Sequence, residues 1–546
     1  MAIKNSAPMR FTPAGLTDAF DSSDAFPGAC TSLSNLIFDQ VNRGFVVDIP
    51  GVLKLADFVA GGFSSPTFVS VHLEVGTRIY GMIATTRNAG HDEPFCYESA
   101  TNTFITISGV TSGNTPTSPS TTGDWTPPTM AVVGTMVVVT HPGFNGAGAN
   151  FYGIIDITTP ASPAWRDENV ATNALPSVPV AVANFNNRAF FACTNAVVFT
   201  DILTNPLTRT NANQVLTVGD SQPINALSGL PNQSTGGGIV QSLTIFKKTQ
   251  IWQVVGDYST ANLSLNFLSL QIGTPSPRSI QQCPAGLYFA AQSGPYFIDL
   301  LGGVRELVHQ PGEGAQPDIQ IPFQNAVTPT RWASAYATPI YRICGPTVIL
   351  NVQSVNDYWF DEHKRRWTGP HSFAYDCGGS LSDLFILSSA NNPGIIIQGS
   401  PVPNAGFPTT NLGSAINFSL VSSTFPRTED MLVKQVTETQ IELSSPTANT
   451  TFVISAQNEA NNGIGGPINV NVGLGLPQWG SVTWGSFIWT ASLQPFRPQT
   501  LPVYWTAPLI FEKMQLTISG TLSGHIGIGT LYARFQKTGY MTTGLQ

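Results

Sequence analysis

Apolar residues along this 546-residue chain fall in short runs of roughly four to seven, many β-branched or aromatic. Clusters of Gly, Pro, Asn, Ser and Thr separate the runs. Examples are TFITIS (103–108), TMVVVT (135–140), YGIIDI (152–157), RAFFAC (188–193) and SLTIFK (242–247). GLYFAA (286–291), TVILNV (347–352) and LFILSS (384–389) continue the series. Such runs predict strands, and their recurrence predicts an all-β sandwich, barrel or propeller. Spacing at i, i+3, i+4 is nearly absent; residues 32–41 alone predict a short helix.

Aligning the strand ends reveals a repeat. Glu98, Asp156, Asp201, Asp299 and Asp361 each end an apolar run, and a large apolar residue follows each after a turn. The followers are Phe104, Trp165, Leu207, Val304 and Trp367, at spacings of 6, 9, 6, 5 and 6. This predicts a hairpin whose acid bonds the backbone of its turn and whose return strand docks an apolar residue. With a further turn at Gly256-Asp257, the acids recur about every 40–60 residues, near the period of propeller blades. The expected fold is all-β: a β-propeller of about six blades over residues 76–402. An N-terminal extended arm with first strands (1–75) precedes it, and a C-terminal β-sandwich-like domain (403–546) follows. The alternative is a pair of β-sandwiches sharing the same turn chemistry.

Composition narrows this. Lys+Arg is 24 and Asp+Glu is 32, a net charge of −8, and only 10% of residues are charged. So little charge excludes many exposed helices, and the acidic excess excludes a strongly basic nucleic-acid binder. A hydrophobic share of 42% argues against disorder. Cys30, Cys96, Cys193, Cys283, Cys344 and Cys377 are scattered and form no CxxC pair, so they predict buried thiols in a reducing compartment. The first residues lack the apolar core of a secretory signal, and the longest apolar stretch (130–139) is too short for a membrane span. Synthesis and folding in a cytoplasm are expected.

Candidate chemistry is sparse. His91-Asp92-Glu93 is expected to be a solvated loop, because neighbouring strand residues point to opposite faces. The other histidines show no HxH or HExxH spacing, and the Gly-rich stretches lack a P-loop ending. No Asp box and no G-x-S-x-G elbow occurs. No catalytic, cofactor or metal residues are therefore assigned. Lys364, Arg365 and Arg366 lie beside Trp359 and Trp367 and could contact nucleic-acid phosphates, although a solvated hairpin tip explains them too. Trp479, Trp484 and Trp489 recur at spacings of five and are candidate subunit-interface anchors, or else core of the C-terminal domain. Residues 111–128, rich in Ser, Thr, Pro and Gly, predict a long exposed loop.

Several segments together resemble the β-propeller tail-nozzle, or packaged-DNA stabilisation (tail tubular), proteins of short-tailed bacteriophages. The opening segment is Pro27-Gly28, Leu33, Asn35-Leu36 and Pro50-Gly51. Blade-like segments are NRAFF (187–191), VFTD (198–201), IFKK (245–248), IWQVVGD (251–257) and GTPSPRSI (273–280). GLYF (286–289), GPYFID (294–299) and YWFD (358–361) with Trp367 complete the pattern, which spans about residues 25–400. The resemblance implies a non-enzymatic virion protein that forms a ring, commonly of six copies, below the portal and head-to-tail adaptor. It implies transient contact with genomic double-stranded DNA and possible docking of tail fibres, spikes or a needle. The implied location is the virion tail, after assembly in the host cytoplasm. A carbohydrate-binding or carbohydrate-cleaving virion propeller and a receptor-binding tail protein are the competing expectations.

Overall fold

A computed structural model describes residues 9–540 apart from 17–27, 41–43, 64–72, 85–89, 118–127, 234–238, 257–262, 308–320, 325, 327, 350–351, 382–383, 390–391, 400–407, 425–431, 445–448, 459–462, 473–498 and 507–508. The chain is all-β, and six four-stranded sheets in a ring form a six-bladed β-propeller.

Blades one to five are consecutive up-and-down meanders spanning 73–105, 129–168, 181–217, 224–269 and 281–306. Blade six is composite. Cys377–Leu381, Leu384–Ser389 and Asn392–Gly399 supply three strands, and Val52–Asp57 supplies the outermost. A segment near the N-terminus thus closes the ring by pairing with the last propeller strand, as in Ile397↔Leu53. A further meander, Ala333–Ala337, Ile340–Ile349, Val352–Asp361 and Arg366–His371, packs between blades five and six. Its outer strand pairs with Ala29–Ser34 as well, so the whole meander forms one end of a ten-stranded sheet.

The predicted turn chemistry is present. The Oδ1 of Asp299 accepts the N–H groups of Leu301 and Gly303, both at 2.9 Å. Asp156 accepts from Thr158, and Asp361 from His363 and Lys364, at the same distance. Four of the five motifs join the third and fourth strands of a meander. After Asp201 the chain instead makes a longer excursion before its outer strand, Val215–Thr217. The return residues dock as expected. Trp165 and Trp367 are buried, and Trp165 lies so close over Gly153 that an added Cβ would meet its ring at 1.9 Å. Each blade presents one apolar face to the next, so neighbouring blades share cores. Phe190, Phe199, Leu243 and Ile245 make one between blades three and four.

The second body is a two-sheet sandwich. One sheet continues from Arg366–His371 through Ala29–Ser34, Asn417–Ser422, Met514–Thr521, Thr450–Asn458 and Gly463–Val472. The other runs Leu36–Phe38, Val46–Asp48, Gly527–Tyr540, Leu432–Ser444, Gln499–Val503. Strands such as Thr450–Asn458 alternate buried and half-exposed positions, the signature of one face on a core. The described residues of 1–75, expected as an extended arm with first strands, supply strands of this sandwich, the closing strand of the propeller and the first strand of blade one.

The described residues of the expected helix, 32–40, are not helical: 32–34 and 36–38 belong to the strands Ala29–Ser34 and Leu36–Phe38, divided by Asn35 at φ 56. Left-handed backbone suits Asn better than most residues. Here it frees Asn35 to bond distant chain: its N–H donates to Nδ1 of His371 at 3.0 Å, and its side-chain amide to the carbonyl of Asn417 at 2.6 Å. Tertiary partners override a weak local preference. All six cysteines are buried and free.

Candidate functional site

Three places can carry function: the basic hairpin, the propeller channel and the polar groups inside the blades. Lys364, Arg365 and Arg366 lie at the turn between Val352–Asp361 and Arg366–His371. His363 and Arg365 are exposed, and Arg365 adopts φ 53. The two acids at the base of this turn face inward. The Oδ2 of Asp361 accepts the Gln40 side chain at 2.5 Å. Glu362 accepts the hydroxyl of Tyr288 at 2.5 Å and that of Tyr336 at 3.0 Å. Tyr288 stacks on Tyr341 with ring centroids 4.5 Å apart. Burial raises both Tyr288 and Tyr336 above the ordinary tyrosine range, so they remain donors to the carboxylate. The hairpin thus presents its cations from a turn whose carboxylates are already engaged. Sequence reasoning placed the cations correctly on a turn, but the tyrosine clamp draws on residues 74 and 26 positions away and had no local signal.

The channel is a cavity of about 660 Å³ lined by the first strands of all six blades. Among the described residues, its only charged lining residues are Glu74 and Arg278. Side-chain amides on this wall tie neighbouring blades. Asn184 donates to the carbonyl of Val132 at 2.7 Å, and Gln282 to that of Gly229 at 2.6 Å. Gln281 donates to the carbonyl of Ser334 at 2.9 Å and reaches that of Gly378 at 3.3 Å. Arg278 bonds the carbonyl of Asp376 at 2.8 Å. These groups are spent on closing the ring, so the wall is a seam.

The solvated-loop expectation for His91-Asp92-Glu93 is corrected. Asp92 and Glu93 are buried on the strand Asp92–Glu98. The carboxylate of Asp92 meets Nε2 of buried His141 at 2.5 Å, across blades one and two. Nδ1 of His141 accepts the N–H of Gly143 at 2.8 Å, so Nε2 carries the proton and donates. The partner lies 49 positions away, and adjacency along the chain concealed it.

A second buried pair, Arg342–Asp357, lies where the extra meander meets blade six. Nη2 meets Oδ2 at 2.5 Å, and both side chains are inaccessible. The rings of Trp359 and Tyr375, each 4.7 Å from the guanidinium carbon, flank it. Gln398 accepts from Arg342 and donates to the carbonyl of Pro50, both at 2.5 Å. Burial pushes the Asp357 carboxyl up to about 6 against the pull of Arg342.

Trp479, Trp484 and Trp489 lie outside the described residues, as do Glu429-Asp430, Asp257 and most of the Ser/Thr/Pro-rich stretch. Among the described residues no group of three or more His, Cys, Asp or Glu could hold a metal, and no helix is long and apolar enough to cross a membrane.

No family model and no curated protein matches the chain. Solved structures do. One titled "Crystal structure of BBS1N in complex with ARL6DN, soaked with lead" is 10% identical at a TM-score of 0.35, covering 64% of this chain and 95% of that one. A puromycin-hydrolyzing peptidase of Mycobacterium tuberculosis is 10% identical at 0.34, covering 66% and 60%. A structure titled "Glycoside hydrolase" is 11% identical at 0.25, covering 88% and 100%. Scores this low carry no argument about function.

Proposed function

We propose that this chain is a structural virion protein, one subunit of a tail-nozzle ring that conducts and helps retain packaged DNA in a short-tailed bacteriophage. The observation that supports the reading best is how the chain ends are used. The strands Met9–Phe11, Gly15–Leu16, Ala29–Ser34, Leu36–Phe38 and Val46–Asp48 weave into the sandwich, and Val52–Asp57 then closes the propeller. One segment therefore locks both bodies, which suits a part that must withstand internal pressure without opening at a domain boundary. The blade segments that resemble the tail-nozzle family support the reading as well. Low charge suits a conduit, because every Lys or Arg contact to phosphate adds salt-sensitive affinity. Lys364, Arg365 and Arg366 would supply the few contacts that hold the DNA.

Negative-stain imaging of the purified protein, alone and with the head-to-tail adaptor, tests this. Six-fold rings are expected, and monomers under both conditions would overturn the reading. Replacing Lys364, Arg365 and Arg366 with Ala should leave rings intact and reduce the salt slope of DNA binding by about 3. Turnover of host polysaccharide by the purified protein would favour a carbohydrate-cleaving propeller instead.

A further inference from the structure

Arg209 lies in the excursion between the third and fourth strands of blade three. The flanking residues both turn toward Asp201. The hydroxyl of Thr208 donates to Oδ2 at 2.9 Å, and the Thr210 N–H to the same oxygen at 3.0 Å. Alternation along this extended stretch sends the Arg209 side chain the other way, against the connection between blades two and three. Its backbone carbonyl accepts the Asn173 amide there at 2.7 Å.

The side chain is 7% exposed, yet its guanidinium makes a single long hydrogen bond, from Nη2 to the carbonyl of Ala174 at 3.4 Å. Nε and Nη1 are buried and bond nothing. Among the described residues no carboxylate pairs with it. A guanidinium has five N–H donors and stays charged, so one buried with most of them unspent lacks a counter-charge among the described residues. The contrast with Arg342, which has an aspartate, a glutamine and flanking rings, is plain. Ala174, whose carbonyl it meets, is exposed, so the surface is one layer away.

We propose that Arg209 is the cationic centre of a site for a small oxyanion, phosphate or carboxylate, at the rim of blade three. Planar guanidinium matches both groups. The site does not depend on the nozzle reading.

The test uses the full chain, with inorganic phosphate and acetate as separate probes at constant ionic strength against chloride. Thermal unfolding should show a saturable rise in midpoint with at least one probe, and the rise should vanish in Arg209→Met. Whichever probe acts at lower concentration identifies the chemistry. Without either anion, Arg209→Met should be at least as stable as the native protein, because it removes an uncompensated charge. A lack of response to both probes, or an equal response in Arg209→Met, would overturn the proposal. Should that variant fail to fold, equilibrium dialysis of phosphate and acetate against native protein decides: uptake near one per chain supports the site, and no uptake of either refutes it.

Discussion

Blades one to five and the sandwich are both antiparallel β-structure, but they are assembled on different scales. Within a blade, partners are near neighbours: Ile155 pairs with Trp165, and Ala192 with Val197. In the sandwich, Cys30 pairs with Ser422, Val46 with Ile528 and Met9 with Ala533. A blade's register follows from its own turns. The sandwich must bring both chain ends together against the entropy of closing very long loops. Blade six combines the two modes, with a local three-strand meander completed by one remote strand. Locally encoded units thus become a closed ring only when a distant segment arrives.

The strongest way to break this comparison is to remove residues 1–57. The truncated chain should lose the sandwich and leave the ring open, and limited proteolysis should find no resistant fragment from the C-terminal third. Native-like resistance throughout would show that the remote strands are dispensable. Next in size is Arg342→Met, at the junction of meander, blade six and closing segment. It strands the buried Asp357 carboxylate and should cost about 3–5 kcal/mol in urea unfolding. A cost below about 1 kcal/mol would mean that the aspartate escapes by taking up a proton.

Within a single blade the effects should be smaller. Asp299→Ala removes the acceptor of two turn N–H groups and should cost about 1–2 kcal/mol, with the other blades intact by hydrogen exchange. Smallest is the tie between the chain ends, where Nδ1 of half-exposed His525 meets Asp48 at 2.7 Å. The hydrogen bond that the imidazole donates to Asp48 raises it above its ordinary 6.5. The tie therefore stabilises fully below about pH 6.5 and fades as pH rises through the higher folded value. After solvent screening it is worth less than about 1 kcal/mol. His525→Gln should flatten stability between pH 6 and 8, and an unchanged pH profile would remove this contact from the account.

Much of the propeller was legible along the chain because its determinants are local. The apolar runs, the acids that hold their turns and the aromatic residues on the return strands sit within about ten residues of one another. The basic hairpin was legible for the same reason. The Glu362 clamp, the Asp92–His141 contact and the lone guanidinium of Arg209 were not, since each depends on what lies opposite in space. Asn35 illustrates the boundary. Its neighbours fit a short helix by spacing, yet its bonds to His371, Ser372 and Asn417 hold it between two strands.

The sequence by itself determined the strand content, the hairpin chemistry and an approximate blade count, because period-two patterning and turn residues act over short range. Only the tertiary structure decided that the strands between Met9 and Asp57 finish both bodies, and which buried charges find partners. The first outcome depends on pairings hundreds of residues apart, where no local pattern records which edge a strand will join; the second depends on which side chains the packed strands bring face to face, as with Asp92 and His141, 49 positions apart.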